Sequence, residues 1–455
     1  MRFQLLFKTL VIGFLIVAIM IPLGMIQNTI SERQAFHQQA VASVAQSYAG
    51  PQTLVGPVVI VPYTADVPTT VTDANGDTHP QVRTEQRQWT FFPKTLRLDG
   101  NLVTHEKHRG IHKVQTYELE AKLTGHFDFA VPADVPGATL RAVGKPYVSF
   151  GIDDVRGLNS TPNLALDGRA ASLQQGAGSN SPGDGVHADL PALAAGDRRT
   201  LEVAVAFKLG GTERFAFAPI GDSNKVELHS SWQHPDFQGR FSPPKLDISE
   251  KGFAAAWDIP ALAANTQSRY TGSAGMKEGA DEIEIVLVDP VNVYVKADRA
   301  TKYGLLFVLL TFVGFFMFEL IKQLRIHPIQ YLLVGLALAI FFLLLVSLSE
   351  HYDFTWSYVG ASAACIGLQG FYLSYVLQSR LRGLGFATML TALYGALYGL
   401  LNSEDNALVL GSVLLFAILA TIMVVTRRID WYGLSPQAPA GPQPPPLPDR
   451  AVVQP

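Results

Sequence analysis

The sequence is short of cysteine and of charge. Cys365 is the single cysteine among 455 residues, which excludes an intrachain disulfide and any zinc site that needs several thiolates. Charged residues make up 16% of the chain, against roughly 25% in soluble domains, whereas 48% of the residues are hydrophobic. This shortage of charge predicts that lipid is part of the protein's solvent.

Basic arms and catalytic signatures are lacking as well. The net charge is −3 and no Lys/Arg-rich arm occurs, so nucleic acid is not an expected partner. Gly-x-Ser-x-Gly, Walker A and Rossmann fingerprints do not occur either. His105, Glu106, His108 and His112 cluster like metal ligands, but residues 105 and 108 of a strand point to opposite faces, which favours a solvated hairpin. We therefore predict no catalytic residue, no cofactor and no metal.

The sequence does contain six long apolar runs. The first, residues 5–26, is long enough to cross the hydrocarbon core and has no small-x-small cleavage site close behind it, which favours an uncleaved anchor over a signal peptide. Five more runs follow a long polar middle, at about 303–321, 331–348, 356–377, 384–401 and 407–425. The pattern predicts an α-helical membrane protein with six transmembrane helices, arranged as one plus five.

Charge in the connections between the runs predicts the orientation, because basic loops stay in the cytoplasm. The connections carry, in chain order, Lys322, Arg325 and His327; Glu350, His351 and Asp353; Arg380 and Arg382; Glu404 and Asp405; and Arg427 and Arg428. Basic and acidic connections thus alternate. We expect both termini in the cytoplasm and the polar middle on the opposite side of the membrane.

Residues 28–302 are predicted to form a large exported domain rich in β-structure. Short β-branched or alternating runs, separated by Gly, Pro, Asn and Asp, are typical of an antiparallel sandwich or a related all-β fold. These runs are 58–63, 89–92, 96–104, 114–129, 201–209 and 282–288. Segment 169–199 has few apolar residues and is expected to be a flexible surface insert between two candidate subdomains, 50–168 and 200–290.

The division predicted for the whole chain has four parts. They are an N-terminal transmembrane anchor (1–27), the sandwich-like domain (28–302), a five-helix transmembrane bundle (303–428) and a disordered Pro-rich tail (429–455). The tail holds the run Pro-Gln-Pro-Pro-Pro-Leu-Pro, which favours a solvated polyproline segment over a docking motif.

Polar residues in and beside the apolar runs are the candidate site residues. They are Glu319, Glu350, His351, Gln369, Tyr394, Tyr398, Glu404 and Asp405. Glu319 lies near the end of the second run, where an ion pair with Lys322 competes with a functional polar site inside the bundle. For the acidic outer connections, solvated topology determinants compete with a cation or partner site.

Two tyrosines of the fifth run are spaced for one helix face. Tyr394 and Tyr398 are four residues apart. Gly395 and Gly399 form a Gly-x-x-x-Gly pair beside them, which permits close approach of a neighbouring helix. Packing is therefore the favoured role of this group.

Several long and unusual blocks occur in one order along the chain. They are Gln-Thr-Leu-Val-Gly-Pro at 52–57 with the strand run after it, Ser-Trp-Gln-His-Pro-Asp-Phe at 231–237, Gly252-Phe253 to Trp257, Asp-Pro-Val at 289–291 with Tyr294, Arg-Ala-Thr-Lys-Tyr-Gly at 299–304, the block 311–319, His-Pro-Ile-Gln-Tyr at 327–331, Ser-Leu-Ser-Glu-His at 347–351, Tyr-Gly-Ala-Leu-Tyr at 394–398 and the block 426–432. In kind and order they resemble the CreD inner-membrane proteins over nearly the whole chain. The insert at 169–199 and the Pro-rich tail depart from the family pattern.

The resemblance implies a multi-pass protein of the inner (cytoplasmic) membrane of Gram-negative bacteria with a periplasmic domain. It also implies a role in cell-envelope integrity and stress response, linked to a sensor-kinase regulon that is associated with colicin tolerance and β-lactam response. It supplies neither a catalytic residue set nor a cofactor.

Three functions compete on these grounds. The leading prediction is a non-enzymatic envelope protein whose partners are the lipid bilayer and, as further candidates, peptidoglycan or other envelope proteins. The second is a transporter or lipid-handling protein that uses Glu319, Gln369 and the tyrosines, although broken helices and an obvious inverted repeat are missing from the pattern. The third, an intramembrane or exported hydrolase, is disfavoured because no nucleophile motif occurs.

Overall fold

The computed structural model of the chain describes residues 2–72, 78–178, 184–271, 281–287, 293–322, 326–403 and 407–427. The chain divides into two compact units. One joins Met1–Ala35 to Val291–Pro455 and is called the helical unit below; the other, Phe36–Pro290, is called the β-rich unit. The division falls inside the first helix.

Helices occupy every position at which the sequence predicts an apolar run. They are α1 (Arg2–Ser47), α3 (Val293–Lys302), α4 (Gly304–Lys322), α5 (Pro328–Ser349), α6 (Phe354–Val376), α7 (Arg380–Asn402) and α8 (Ala407–Thr426), while α2 (Thr266–Thr271) belongs to the β-rich unit. His327 caps the start of α5: its Nδ1 accepts from the Ile329 N–H at 3.3 Å, and the Gln330 side-chain oxygen accepts from the His327 N–H at 3.1 Å.

Not every one of these helices is long and apolar enough to cross a membrane by itself. Four are: Phe7–Ser47 within α1, and α5, α6 and α7. α3 and α4 qualify only as a pair bent by 45°, and the described apolar part of α8, Val409–Thr421, is shorter. The structure thus shows four or five candidate crossings among the residues it describes, and the sixth stays a prediction.

The bend between α3 and α4 corrects the expectation that the helices carry no break. α3 holds Lys296, Asp298, Arg299 and Lys302 within ten residues, so it does not continue the apolar segment that follows it. The helix therefore breaks where a polar stretch meets an apolar one.

One face of α1 packs on the other helices of the helical unit. Its buried residues recur every three or four positions: Ile12, Leu15, Ile19, Leu23, Ile26 and Ile30. Glycine permits the close contact, because a Cβ on Gly335 of α5 would lie 2.8 Å from the Ile19 side chain, and one on Gly304 would lie 3.2 Å from Leu23. The N-terminal helix is therefore part of the helical core.

The strands of the β-rich unit form two sheets around one apolar core. They are β1 (Gln52–Thr72), β2 (Thr78–Phe91), β3 (Thr95–Arg109), β4 (His112–Ala130), β5 (Thr139–Val143), β6 (Tyr147–Ile152), β7 (Asn163–Leu166), β8 (Arg169–Ala171), β9 (Gln174–Gln175), β10 (Gly185–Asp189), β11 (Arg198–Thr212), β12 (Arg214–Ala218), β13 (Ser223–Ser230), β14 (Pro235–Gly239), β15 (Lys245–Ser249), β16 (Gly252–Pro260) and β17 (Ile283–Leu287). Alternating burial along β3 and β4 follows from the two-residue period of a strand.

The sheets are mixed rather than purely antiparallel. The first runs β14-β17-β12-β1-β6-β10-β9, with β2 and β5 also paired to β1, and the second runs β15-β16-β13-β3-β4-β11-β7-β8. β1 pairs with β12, and β3 with β13, in parallel. A parallel pair needs a long crossover, and the strands between these partners supply one, so the antiparallel expectation is wrong at these two places.

The expected subdomains and insert are also corrected. Both sheets draw strands from 50–168 and from 200–290, so these segments do not fold separately. Within 169–199 the structure places β8, β9 and β10, and β10 pairs with β6 inside the first sheet. Strand pairing uses backbone groups and tolerates small side chains, so these short strands form although the segment has few apolar residues.

Candidate functional site

A buried ion pair surrounds Glu319 near the end of α4. Glu319 is 7% exposed. Its Oε1 pairs with Nζ of Lys8 on α1, and its Oε2 accepts a hydrogen bond of 2.9 Å from the Tyr331 hydroxyl on α5. The Lys8 ammonium also donates to the backbone oxygen of Ile326 at 2.9 Å. Three helices thus converge on one neutralised carboxylate, as a charge in apolar surroundings requires.

The partner of Glu319 differs from the one that local sequence offers. The side chain of Lys322, three residues away, lies outside the described residues. The partner shown is Lys8, which is 311 positions earlier in the chain. Spacing along one helix does not reveal this pair, because it forms only when α1 packs beside α4 and α5.

A second buried carboxylate belongs to Glu350, directly after α5. Its side chain is 9% exposed, and its Oε1 lies 3.6 Å from Nε of Arg33 on α1. The Tyr294 hydroxyl of α3 donates to the same oxygen at 3.4 Å. The interpretation of Glu350 as a solvated rim residue is therefore wrong, because α1 and α3 cover it.

Glu319 and Glu350 contact α1 at two positions that lie far apart along the helix axis. Lys8 and Arg33 are 25 residues apart, which corresponds to about 38 Å along a helix. The hydrocarbon core of a bilayer is about 30 Å thick. The buried stripe of α1 lies between the two cations. Polar contacts at both ends and apolar packing between them therefore attach α1 to the helical unit.

Glu350 also joins the two places where the chain passes between the units. Arg33 precedes the boundary at Ala35 by two residues, and Tyr294 follows the boundary at Val291 by three. Both side chains contact one oxygen of Glu350. One carboxylate thus ties the exit of the chain from the helical unit to its return.

Gln369 lies deep in α6 without a partner. It is 2% exposed, and within the described part of the chain neither its amide oxygen nor its amide nitrogen has a hydrogen bond. An unpaired amide in apolar surroundings costs roughly 2–7 kcal/mol, so such a group is a candidate for function.

The tyrosines connect α6 to α7. The Tyr358 hydroxyl donates to the backbone oxygen of Tyr394 at 2.7 Å, and the Tyr398 hydroxyl donates to Oγ1 of Thr355 at 3.2 Å. The Tyr394 ring lies edge-on to Phe341, with 4.6 Å between centroids. These contacts are packing contacts with a polar end.

The glycine pair beside these tyrosines does not make the expected close approach. A Cβ on Gly395 or Gly399 would meet no described atom within 4 Å. The close approach of α6 and α7 lies instead where a Cβ on Gly383 would come within 2.8 Å of Ser374 and one on Gly370 within 3.2 Å of Ala387. These residues form a small-x-x-x-small pair on each helix, Gly370 with Ser374 and Gly383 with Ala387, which is the sequence signal for this contact.

The remaining rim candidates are not brought together. His351 is exposed, and its Nδ1 lies 3.3 Å from the Ser347 backbone oxygen. Glu404 and Asp405 lie outside the described residues. The described structure therefore assembles a polar site around Glu319 and Glu350 but not along an acidic rim.

One carboxyl group of the β-rich unit titrates near neutrality. Burial raises the pKa of Glu282 to about 7; the Arg214 guanidinium, 4.0 Å away, opposes the rise, and Asp153 and Glu284 add to it. Throughout the described ranges, no three His, Cys, Asp or Glu side chains are grouped so that they could hold a metal ion.

Comparison with known proteins identifies the family. The family model described as inner membrane protein CreD matches residues 4–432. The chain belongs to the CreD family. It is also 36% identical to the inner membrane protein CreD of Escherichia coli (strain K12) over 429 residues, which cover 92% of this chain and 92% of that relative. The resemblance to CreD proteins is thus confirmed, and the protein is a multi-pass protein of the inner membrane.

Solved structures add little to the CreD comparison. An M1 zinc metallopeptidase from Deinococcus radiodurans is 9% identical with a TM-score of 0.18, covering 43% of this chain and 42% of its own. A two-domain M1 zinc metallopeptidase has the same identity and coverage with a TM-score of 0.19. Similarity at this level carries no argument about fold or activity, and the CreD description names a membrane protein rather than an enzyme.

Proposed function

We propose that this CreD-family protein is a non-enzymatic component of the inner membrane that supports cell-envelope integrity and the envelope stress response. The β-rich unit lies in the periplasm, where it contacts lipid, peptidoglycan or other envelope proteins, and both termini lie in the cytoplasm. The observation that carries the proposal is the double attachment of the β-rich unit, which is a single insertion, Phe36–Pro290, into the helical unit.

Polar contacts within the helical unit hold both helices from which the β-rich unit extends. Residues of α1 and α3 that flank the insertion both contact Glu350, and α1 is held a second time through Lys8 and Glu319. A unit tethered at both ends remains at the bilayer surface, which is where contact with the envelope is needed. Such a tether supports the proposed binding or mechanical role of the unit.

The charge pattern supports the proposed orientation. Arg380 and Arg382 begin α7, while Glu350 and Asp353 stand between α5 and α6. Basic connections favour the cytoplasm. If the predicted sixth crossing is added to the four or five candidate crossings, this charge pattern favours both attachments of the β-rich unit on the side opposite the basic connections.

Deletion of the protein tests the proposal. We expect the deletion strain to be more sensitive to cell-wall inhibitors and detergent, and the wild-type chain to restore resistance. A Glu350→Ala chain, which removes the contacts of Arg33 and Tyr294 with this carboxylate, should restore less, whereas His351→Ala, its exposed neighbour, should restore fully. A deletion strain that grows like its parent under both stresses would contradict the proposal.

Transport or lipid handling is the second candidate, and Gln369 is the observation that favours it. A buried amide without a partner is what a polar substrate would need. One cavity beside α4, α7 and α8 has a volume of only about 10 Å³, is lined by leucines with Tyr303 and Phe307, and does not reach Gln369. A Gln369→Leu chain that is present at normal level but fails to restore resistance would favour transport, and full restoration would favour envelope support.

A further inference from the structure

The hairpin of β3 and β4 ends in an exposed, basic tip. Its strands pair as far as Arg109 and His112, and Gly110 takes the positive φ of +61° that the turn between them requires. Ile111 stands in the turn with 46% of its surface exposed. Residues 105–113 are called the hairpin tip below.

The hairpin tip lies against the outer segment of α1, residues 36–47. Lys107 Nζ is 3.4 Å from the ring centroid of Tyr48, Arg109 Nε donates to Oγ of Ser43 at 3.1 Å, and His37 Nε2 is 3.1 Å from the Lys113 backbone oxygen. These contacts run from residue 48 back to residue 37. The turn of the hairpin therefore lies at the Phe36 end of the segment.

That end of the segment is the one nearest the membrane along the chain. Phe36 follows Ile26, the last residue of the first apolar run, by ten positions. Ten residues span at most about 36 Å even when fully extended. Chain connectivity alone therefore keeps this end of the segment close to the bilayer surface.

The hairpin tip combines positive charge with apolar side chains. The cations Lys107, Arg109 and Lys113 and the single acid Glu106 give the hairpin tip a charge of 3 − 1 = +2, within a chain whose net charge is −3. Lys113 Nζ lies 3.2 Å from Oε1 of Glu106, at side chains that are 61% and 37% exposed. Ile111 is exposed beside them, and Phe36 on the adjoining helix is 43% exposed. Basic residues around exposed apolar groups are the composition that binds anionic bilayer surfaces.

We infer that the hairpin tip binds the anionic phospholipid headgroups of the membrane to which the protein is anchored. Arg109 and Lys113 contact lipid phosphates, and the side chains of Ile111 and Phe36 enter the interface. The inference rests on the proposed function and names lipid as the partner of this surface. Peptidoglycan is the weaker candidate here, because it offers no apolar phase for Ile111.

Fluorescence of the full-length protein in lipid nanodiscs tests the inference. A Cys365→Ala, Ile111→Cys chain is labelled with an environment-sensitive dye and placed in phosphatidylcholine alone or with 30% phosphatidylglycerol. We expect blue-shifted emission and protection from acrylamide quenching only in the anionic discs, and loss of both in high salt. Equal quenching in the two lipids would overturn the inference.

Charge variants show whether the basic residues cause the contact. Arg109→Gln with Lys113→Gln should lower the ratio of bound to free hairpin tip roughly fivefold per charge, or about 25-fold together. Arg83→Gln with Lys245→Gln removes the same charge at exposed sites elsewhere and should change nothing.

A conservative substitution at Lys113 is the control for folding. Lys113→Arg retains the charge and should bind like wild type, which separates loss of charge from loss of folding. An equal effect of the control pair would overturn the inference, as would binding by the double glutamine variant at the wild-type level. Growth of the deletion strain is scored separately, so a lost lipid contact with an intact deletion phenotype removes this inference and leaves the proposed function standing.

Discussion

The helical unit and the β-rich unit use charge in opposite ways. In the helical unit, Glu319 and Glu350 are buried and receive cations from a distant part of the chain. In the β-rich unit most of the described ion pairs are exposed, as between Lys94 and Asp222, whose side chains are 55% and 44% exposed. Asp281, which is 6% exposed and pairs with Arg240 at 3.2 Å, is an exception. Buried pairs decide which helices lie together, whereas exposed pairs add little to the fold.

Buried polar groups of the β-rich unit are satisfied by backbone instead. The amide of Gln52 donates to the backbone oxygens of Asp154 at 2.9 Å and Gly210 at 3.0 Å, and it accepts from the Asp154 N–H at 3.1 Å. The Tyr117 hydroxyl donates to the Arg214 oxygen at 2.8 Å, and burial raises its pKa well above the usual range. In this unit the strands position the polar groups, whereas in the helical unit the polar groups position the helices.

Removing Lys8 should have the largest effect. Lys8→Met leaves the Glu319 carboxylate buried without its cation, and we expect a loss of about 3–5 kcal/mol in the free energy of unfolding. Chemical unfolding of the purified protein in detergent measures it. Lys94→Met, which removes an exposed cation from the β-rich unit, is the matched control. Equal losses for both variants would erase the contrast between the units.

Removing Arg33 should have a smaller effect in the same direction. Arg33→Gln keeps a donor near Glu350 but removes the charge, and Arg33 is itself partly exposed. We expect a loss of about 1–3 kcal/mol by the same unfolding measurement. His351→Gln, next to Glu350 but exposed, should stay near wild type. A neutral Arg33→Gln would show that Glu350 does not depend on α1.

Glu282 should make the stability of the β-rich unit depend on pH. Its pKa is about 7 when folded and near the ordinary glutamate value of 4.5 when unfolded, so the folded state holds the extra proton between these values. Stability should therefore rise as pH falls from 8 toward 5. This protonation should raise the free energy of unfolding by about 1 kcal/mol between pH 8 and pH 5, after solvent screening. Glu282→Gln should remove this pH dependence, whereas Glu284→Gln should keep it. Thermal unfolding midpoints of wild type and both variants at pH 5 and pH 8 measure this dependence. A Glu282→Gln chain with the same pH dependence as wild type would show that Glu282 is not its source.

Removing an exposed cation should have the smallest effect. Lys94 pairs with Asp222 at 2.9 Å, and both side chains are exposed to solvent. Removing the Lys94 ammonium therefore leaves no buried charge behind. We expect Lys94→Met to change the free energy of unfolding by less than about 0.5 kcal/mol. A loss above 2 kcal/mol would show that charge is as structural in the β-rich unit as in the helical one.

Local patterns in the sequence predicted most of the elements. Each apolar run became a helix, with α5 at Pro328–Ser349 against a predicted 331–348. The predicted strand runs 96–104 and 114–129 lie within β3 and β4. Such features depend on the hydrophobic period of neighbouring residues, which a single sequence displays.

Features that depend on distant segments were missed. The predicted run 58–63 is only part of β1, which continues through Pro62 to Thr72, because Pro62 pairs opposite Gln88 and its carbonyl accepts from the Gly144 N–H. The pairing of Lys8 with Glu319 likewise needs the packing of α1, which no local pattern encodes. Recognition of the family came from blocks of sequence and not from either contact.

The attachment of α1 is tested most directly by a double-mutant cycle at Lys8 and Glu319. Unfolding free energies are measured in detergent for Lys8→Met, Glu319→Gln and the double variant. If the two groups stabilise the protein through each other, the double variant should lose less than the sum of the single losses by at least about 2 kcal/mol. Additive losses would contradict the account, since they would mean that α1 is held to the helical unit without this ion pair.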